Sequence, residues 1–315
     1  MAALIGLDWG TTRLRAYLYD ADGSVLDSRS RPHGIRALPE GGYDAALADI
    51  TTGWPCCPRL ACGMVGARGG WREMPYLDLP VDVGRLATAL GQVGAADGDP
   101  VHLVPGLRNP ARPDVMRGEE TQILGALAAA RASDTDATFV LPGTHCKWVA
   151  VRDGRVVDFR TAMTGELFSL LLRHSILGAG IESEAAHGHA RFADGVHAAR
   201  DSGAAGGLSR LFTARAAMLA GTLAAADVPG WLSGLLIGEE IRGAVAEGTF
   251  DLSAPVRLIG EDALCTRYRE ALAAFSIEAS VDAAEAAAAG LWSIATSAGL
   301  VASAPAAHAH AGRTQ

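Results

Sequence analysis

Lysine is almost missing from this sequence: of 27 basic residues in 315, Lys147 is the single lysine and the rest are arginine. Positive charge as a whole is short, since 35 acidic residues give a formal net charge of −8. A general nucleic-acid coat needs a basic face for phosphate, so no nucleic-acid partner is expected. Cysteine is scarce and odd in number, five in all, with only Cys56 and Cys57 adjacent. That argues against a disulfide framework and fits a reducing, cytoplasmic setting. No apolar run approaches the roughly 20 residues of a membrane helix. Met1 to Gly6 carries no basic region ahead of an apolar stretch, so no secretory signal is expected. What is present is 49% hydrophobic and 20% charged residues. That excludes a disordered or collagen-like chain, and the length suits two domains.

A pattern occurs twice. Ala3 to Asp8 is a short apolar strand and Gly10-Thr11-Thr12 a tight turn. Leu14, Ala16 and Leu18 then alternate with Arg13, Arg15, Tyr17 and Tyr19, the period of a strand. Asp22-Gly23 is a hairpin signal, and Ser24 to Ser30 the third strand. The same order returns with Phe139-Val140-Leu141, Gly143-Thr144, Lys147 to Val151, Asp153-Gly154 and Val156 to Thr161. This is a duplicated α/β unit, one per domain. The boundary falls at Ser133 to Asp136, giving domains 1–135 and 136–301, with 302–315 a small, polar tail expected to be disordered.

Helices are expected over Tyr43 to Ile50, Val83 to Leu90, Glu119 to Arg131, Glu166 to Leu177, Leu208 to Ala226 and Ala283 to Ala298. Pro229-Gly230 should stop the fifth of these. Two strand–glycine–helix passages are expected near the end. Leu235-Leu236-Ile237 leads to Gly238 and a helix from Glu239. Val256 to Ile259 leads to Gly260 and a helix from Asp262 to Phe275.

A Gly-Thr-Thr turn between strands lets backbone approach a ligand closely and presents amides and hydroxyls to phosphate oxygens. Asp8, at the end of the first strand, is placed to organise Mg2+, which prefers carboxylate, water and phosphate oxygens. Two such turns facing across a cleft can grip a triphosphate from both sides.

Ile5 to Asp20 resembles the first phosphate motif of the sugar-kinase, actin and heat-shock chaperone superfamily, and Gly143-Thr144 with its hairpin resembles the second. Gly63 to Pro80, Met116 to Gln122, Leu141 to Trp148 and Leu232 to Glu240 narrow the resemblance to the 2-dehydro-3-deoxygalactonokinase family. The resemblance implies two RNase H-like domains of the actin and hexokinase type, with ATP and Mg2+ in the cleft between them. It implies transfer of the γ-phosphoryl group to the 6-hydroxyl of 2-dehydro-3-deoxygalactonate. By the same resemblance Asp8 organises the metal. Gly10, Thr11, Thr12 and Arg15 form the first phosphate turn, Gly143 and Thr144 the second, and Gly238 and Gly260 the adenosine region. Arg13 stands where relatives carry serine, and Pro142 where the second unit would carry an aspartate.

A sugar hydroxyl attacking phosphorus needs positioning and a proton acceptor, commonly a carboxylate. Relatives supply it from Gly-Asp-Gln at a helix start; here Gly118-Glu119-Glu120 occupies that place. Glu119 is the first candidate, Glu120 the second and Asp114 the third. Acids in a first turn also stabilise the helix by roughly 0.3–1 kcal/mol, so one of the pair can serve simply as a cap. For the anionic substrate, Arg68 and Arg117 are candidate carboxylate ligands, Trp71 a flat wall and Asn109 a donor and acceptor. Lys147, three residues past Thr144, is within reach of phosphate or substrate, or pairs with an acid. His187, His189, His308 and His310 lack an accompanying cluster for a metal site, and Cys56, Cys57 and Cys62 lack zinc spacing. The alternative readings are a kinase for another sugar or sugar acid and an actin-like ATPase or nucleotide-switch protein; the sequence does not fix the oligomeric state, a homodimer included.

Overall fold

A computed structural model describes residues 1–129, 135–181, 189–282 and 285–301. The tail from 302, His187, His308 and His310 lie outside the described residues, as do Ser133 and Asp134 of the expected boundary.

The first half runs β1 (Ala2–Trp9), β2 (Leu14–Asp20), β3 (Val25–Arg31), α1 (Gly42–Ile50), β4 (Arg59–Gly63), β5 (Tyr76–Asp78), α2 (Val83–Ala87), β6 (Gly91–Gly94), β7 (Pro100–Leu103), β8 (Gly106–Asn109), β9 (Asp114–Met116) and α3 (Glu119–Ala129). The second runs β10 (Ala137–Leu141), β11 (Cys146–Arg152), β12 (Arg155–Ala162), α4 (Thr164–His174), α5 (Phe192–Arg200), α6 (Leu211–Leu219), α7 (Val228–Glu247), β13 (Val256–Leu258), α8 (Asp262–Ala274), β14 (Ala279–Val281) and α9 (Ala286–Ser297). The first sheet has the order β3-β2-β1-β4-β7-β6 and the second β12-β11-β10-β13-β14. In each, an antiparallel meander continues into parallel strands. The duplication expected from the sequence is therefore real at the level of topology, and the order is that of two RNase H-like units.

Alternation places these strands. In β2, Leu14, Ala16 and Leu18 are buried while Arg15 is exposed. β10 is buried nearly throughout, as expected of a strand covered on both faces. One apolar core continues across both halves, joining Leu4, Leu60 and Ile123 to Phe139, Val149 and Phe159. A three-stranded sheet, β5-β8-β9, runs along β12. Val81 and Val156 exchange backbone hydrogen bonds of 3.0 and 2.8 Å there. Asp114 accepts from the N–H and the hydroxyl of Thr161, both at 2.6 Å.

Three expectations of secondary structure fail. Leu235-Leu236-Ile237 is not a strand but the middle of the 20-residue helix α7. Pro229 begins that helix instead of stopping its predecessor, because a missing N–H costs nothing in a first turn. The glycines of α7 and of α5 are close-approach positions between the two helices. A Cβ on Gly234 would lie 2.0 Å from Phe192 O, one on Gly195 1.9 Å from Trp231 O, and one on Gly238 2.8 Å from Ala199 Cβ. The helix expected over 208–226 is confined to α6.

α9, expected with the second domain, packs on the first sheet. Tyr19 donates its hydroxyl to Ala288 O at 2.9 Å. α9 also meets α3 backbone to backbone: a Cβ on Gly290 would stand 1.9 Å from Thr121 O, and one on Gly125 1.9 Å from Ala286 O. Gly290→Ala should therefore push the helices apart and cost about 1–3 kcal/mol, as overpacking does, seen as a lower urea midpoint. Gly94→Ala, which meets open space, should leave the midpoint unchanged. Equal midpoints for the two variants would contradict the close packing.

Candidate active site

The first turn is braced from behind. Ile35 N–H donates to Gly10 O and Arg36 N–H to Thr11 O, each at 3.1 Å. Trp9 Nε1 donates to His33 O at 2.8 Å. Gly34 is obligatory, since a Cβ would lie 2.3 Å from Thr12 N. The second turn is braced by the start of α4: Glu166 N–H donates to Thr144 O at 3.0 Å, and a Cβ on Gly165 would lie 2.5 Å from Gly143 O. Gly143 itself has open space on its Cβ side. Gly165 was missed in the sequence, where nothing distinguishes it from a loop glycine.

Three carboxylates lie close enough to act on each other. Asp8, ending β1, accepts from Arg15 Nη1 at 3.3 Å. Burial nevertheless pushes its pKa up, opposed by Arg15 and reinforced by the charge of Glu119. Glu119 opens α3. Its Oε2 accepts from the N–H of Arg117 at 3.0 Å, and its Oε1 lies 3.1 Å from Lys147 Nζ. Lys147 is on β11, so this ion pair ties the two halves together. Glu120 is fully buried; it accepts from Gly118 N–H at 2.7 Å and from the Thr121 hydroxyl at 3.1 Å. Burial first, then Glu119, pushes its pKa up to about 8. Glu120 is thus enclosed at the start of α3, with both carboxylate oxygens engaged by its neighbours. Asp114, the third candidate base, is taken up by Thr161. Glu119 is the carboxylate of the three candidates that is contacted from both halves, by Arg117 and by Lys147.

The substrate candidates separate. Arg68 is exposed on the loop after β4. Trp71 stacks on Tyr43, centroids 5.3 Å apart, and meets Trp9 edge-on at 5.8 Å; it belongs to the packing beneath the first turn. Asn109 is buried and occupied, donating to Asp158 Oδ1 at 2.6 Å and accepting from Ala111 N–H at 3.0 Å. Arg117 is different. Its guanidinium is buried over the Tyr76 ring at 4.5 Å and donates to Met74 O at 2.8 Å, while Nε and Nη1 have no partner.

Two cavities adjoin at Glu261. One, of about 530 Å³, is lined by Gly143, Thr144, Ser233, Leu236, Arg267 and Tyr268. The other, of about 580 Å³, is lined by Arg13, Arg15, Gln122, Gly260 and Asp262. Gly260 therefore borders the second cavity. Gly238 does not: it packs on α5, and its helical neighbours Ser233 and Leu236 line the cleft instead. Behind that wall Glu240 accepts from Trp148 Nε1 at 2.6 Å and Tyr268 Oη at 2.8 Å, a buried network no local pattern announced. Among the described residues no cluster of three metal-ligating side chains occurs, and no helix is long and apolar enough to cross a membrane.

Glu120 carries a pH signature. Its folded pKa of about 8 lies above the ordinary value of 4.5, so between those values the folded chain holds a proton that the unfolded chain has lost. Stability from this group is full below pH 4.5 and declines as pH rises toward 8. Glu120→Gln, neutral at every pH, should flatten that decline in urea titrations at pH 5, 6.5 and 8. An unchanged slope would show Glu120 to be ionised.

The 2-keto-3-deoxy-galactonokinase family model matches residues 8–294. The 2-dehydro-3-deoxygalactonokinase of Escherichia coli (strain K12) is 39% identical over 284 residues, covering 88% of this chain and 91% of that one. A crystal structure from Sinorhizobium meliloti, of a protein described as a 2-dehydro-3-deoxygalactonokinase, superposes with a TM-score of 0.83 at 38% identity, covering 93% of this chain and 98% of that one. The activator of 2-hydroxyisocaproyl-CoA dehydratase from Clostridium difficile, with bound ADPNP, shares the fold at 12% identity, with a TM-score of 0.53 over 94% of this chain and 96% of that one. By sequence, topology and extent of match, the chain belongs to the 2-keto-3-deoxy-galactonokinase family.

Proposed function

We infer that the chain transfers the γ-phosphoryl group of ATP to the 6-hydroxyl of 2-dehydro-3-deoxy-D-galactonate, in the cytoplasm. The observation that carries this reading is the ion pair of 3.1 Å between Glu119 and Lys147. It brings a carboxylate from the first half to the strand leaving the second phosphate turn. The relatives' names supply the substrate, and five unpaired cysteines suit the reducing compartment.

In this reading Gly10, Thr11, Thr12 and Arg15 hold the phosphates from one side and Gly143 and Thr144 from the other. The nucleoside lies along Ser233, Leu236 and Gly260. The sugar's 6-oxygen attacks the γ-phosphorus and forms the new P–O bond as the bond to the β–γ bridging oxygen breaks, releasing ADP. The hydroxyl proton passes to Glu119. Asp8, the carboxylate ending β1, fits a divalent cation bound through phosphate and water, since Mg2+ commonly takes only one or two protein carboxylates. When bound, Mg2+ neutralises phosphate charge. The unpaired Nε and Nη1 of buried Arg117 suit a carboxylate, the group that a forked guanidinium recognises best; exposed Arg68 offers a second contact.

ADP release with Mg-ATP should reach about 1–100 s⁻¹ with 2-dehydro-3-deoxygalactonate and stay at background with its gluconate epimer, galactonate, glycerol or no sugar. Glu119→Gln should lower kcat about 10²- to 10⁴-fold with little change in the KM for ATP, and Glu120→Gln should retain kcat. Equal slow hydrolysis in every mixture would favour an actin-like nucleotide switch instead.

A further inference from the structure

Lys147 stands out because arginine occupies every other basic position of the chain. It is only 4% exposed. Its ammonium touches Glu119 Oε1 at 3.1 Å and His145 O at 3.0 Å. An ammonium has three donors, so one N–H is left beyond these two acceptors. His145 immediately follows Gly143-Thr144, so the bond to its carbonyl holds the ammonium beside the second phosphate turn. A phosphate seated there competes with Glu119 for the same cation. Lysine suits such an exchange. It is a point charge with rotatable donors, whereas arginine grips a carboxylate with a rigid two-pronged fork.

We propose that Lys147 is a positioning residue that couples the two substrates: it holds Glu119 in the nucleotide-free protein and turns to the γ-phosphate when ATP arrives, freeing the carboxylate for the sugar hydroxyl. This rests on the kinase reading above. The charges around Glu119 make the exchange effective. Asp8 on β1, itself paired with Arg15 at 3.3 Å, lies close enough for its charge and that of Glu119 to oppose each other. Once the ammonium leaves, Glu119 is an uncompensated acceptor that gains by meeting a hydroxyl. Linkage then requires nucleotide to tighten sugar-acid binding, and sugar acid to tighten nucleotide binding by the same factor.

Calorimetry on the intact protein tests this, using 2-dehydro-3-deoxygalactonate with and without a non-hydrolysable ATP analogue and Mg2+. Wild type should bind the sugar acid about 5-fold or more tightly when the analogue is present. Lys147→Met should bind it equally in both conditions. Lys147→Arg keeps the charge and guards against loss of fold; its fork should stay on Glu119, and it too should lose the tightening. Tightening that survives in either variant, or is absent from wild type, overturns the proposal. Wild type that binds no sugar acid in either condition overturns the kinase reading itself.

Discussion

The contact between α3 and α9 governs the rest of the site. Two glycines, Gly125 and Gly290, let the backbones of these helices touch where any side chain would collide with a carbonyl. α9 is fixed to the first sheet by Tyr19 and by Leu291, whose Cδ1 would lie 3.1 Å from a Cβ on Gly6. α3 is thereby locked between the two sheets, and its first residues, Glu119 and Glu120, are delivered to one spot. A side chain carried on packed backbone is placed more closely than one carried on a loop.

The electrostatics follow from that placement. Asp8, Glu119 and Glu120 cannot all remain charged and uncompensated in a partly buried space. Each is handled differently. Glu120 is buried, which pushes its pKa up, and it accepts from Gly118 and Thr121 at the start of α3. Asp8 has Arg15. Glu119 has Lys147, from the opposite half. Environments that push similar groups toward different protonation states are how a pair of carboxylates acquires two roles.

The duplicated meander was legible because period-two alternation and Gly-Thr and Asp-Gly turns are local signals. Gly10 and Gly143 fall where those signals put them. α7 was not legible: an apolar triplet between glycines reads equally as strand or buried helix, and the glycines serve contact with α5, which is decided in three dimensions. Asn109 and Trp71 have residue types suited to sugar binding, yet their bonds and stacking are spent on β12 and on the aromatic packing beneath the first turn. The placement of α9 in the first layer was hidden for the same reason, since its partners are more than a hundred residues away in sequence. Lys147 was conspicuous by composition alone; its partner Glu119, from the other half of the chain, was not.

The central claim is that Glu119, carried on α3, receives the proton of the sugar hydroxyl between the two turns. A crystal structure of the protein with a non-hydrolysable ATP analogue, Mg2+ and 2-dehydro-3-deoxygalactonate tests it most directly. The account predicts the sugar's 6-oxygen within hydrogen-bond distance of a Glu119 carboxylate oxygen, about 2.6–3.2 Å, with the γ-phosphate against Gly143 and Thr144. A 6-oxygen that instead meets Glu120, Asp114 or no carboxylate would contradict it.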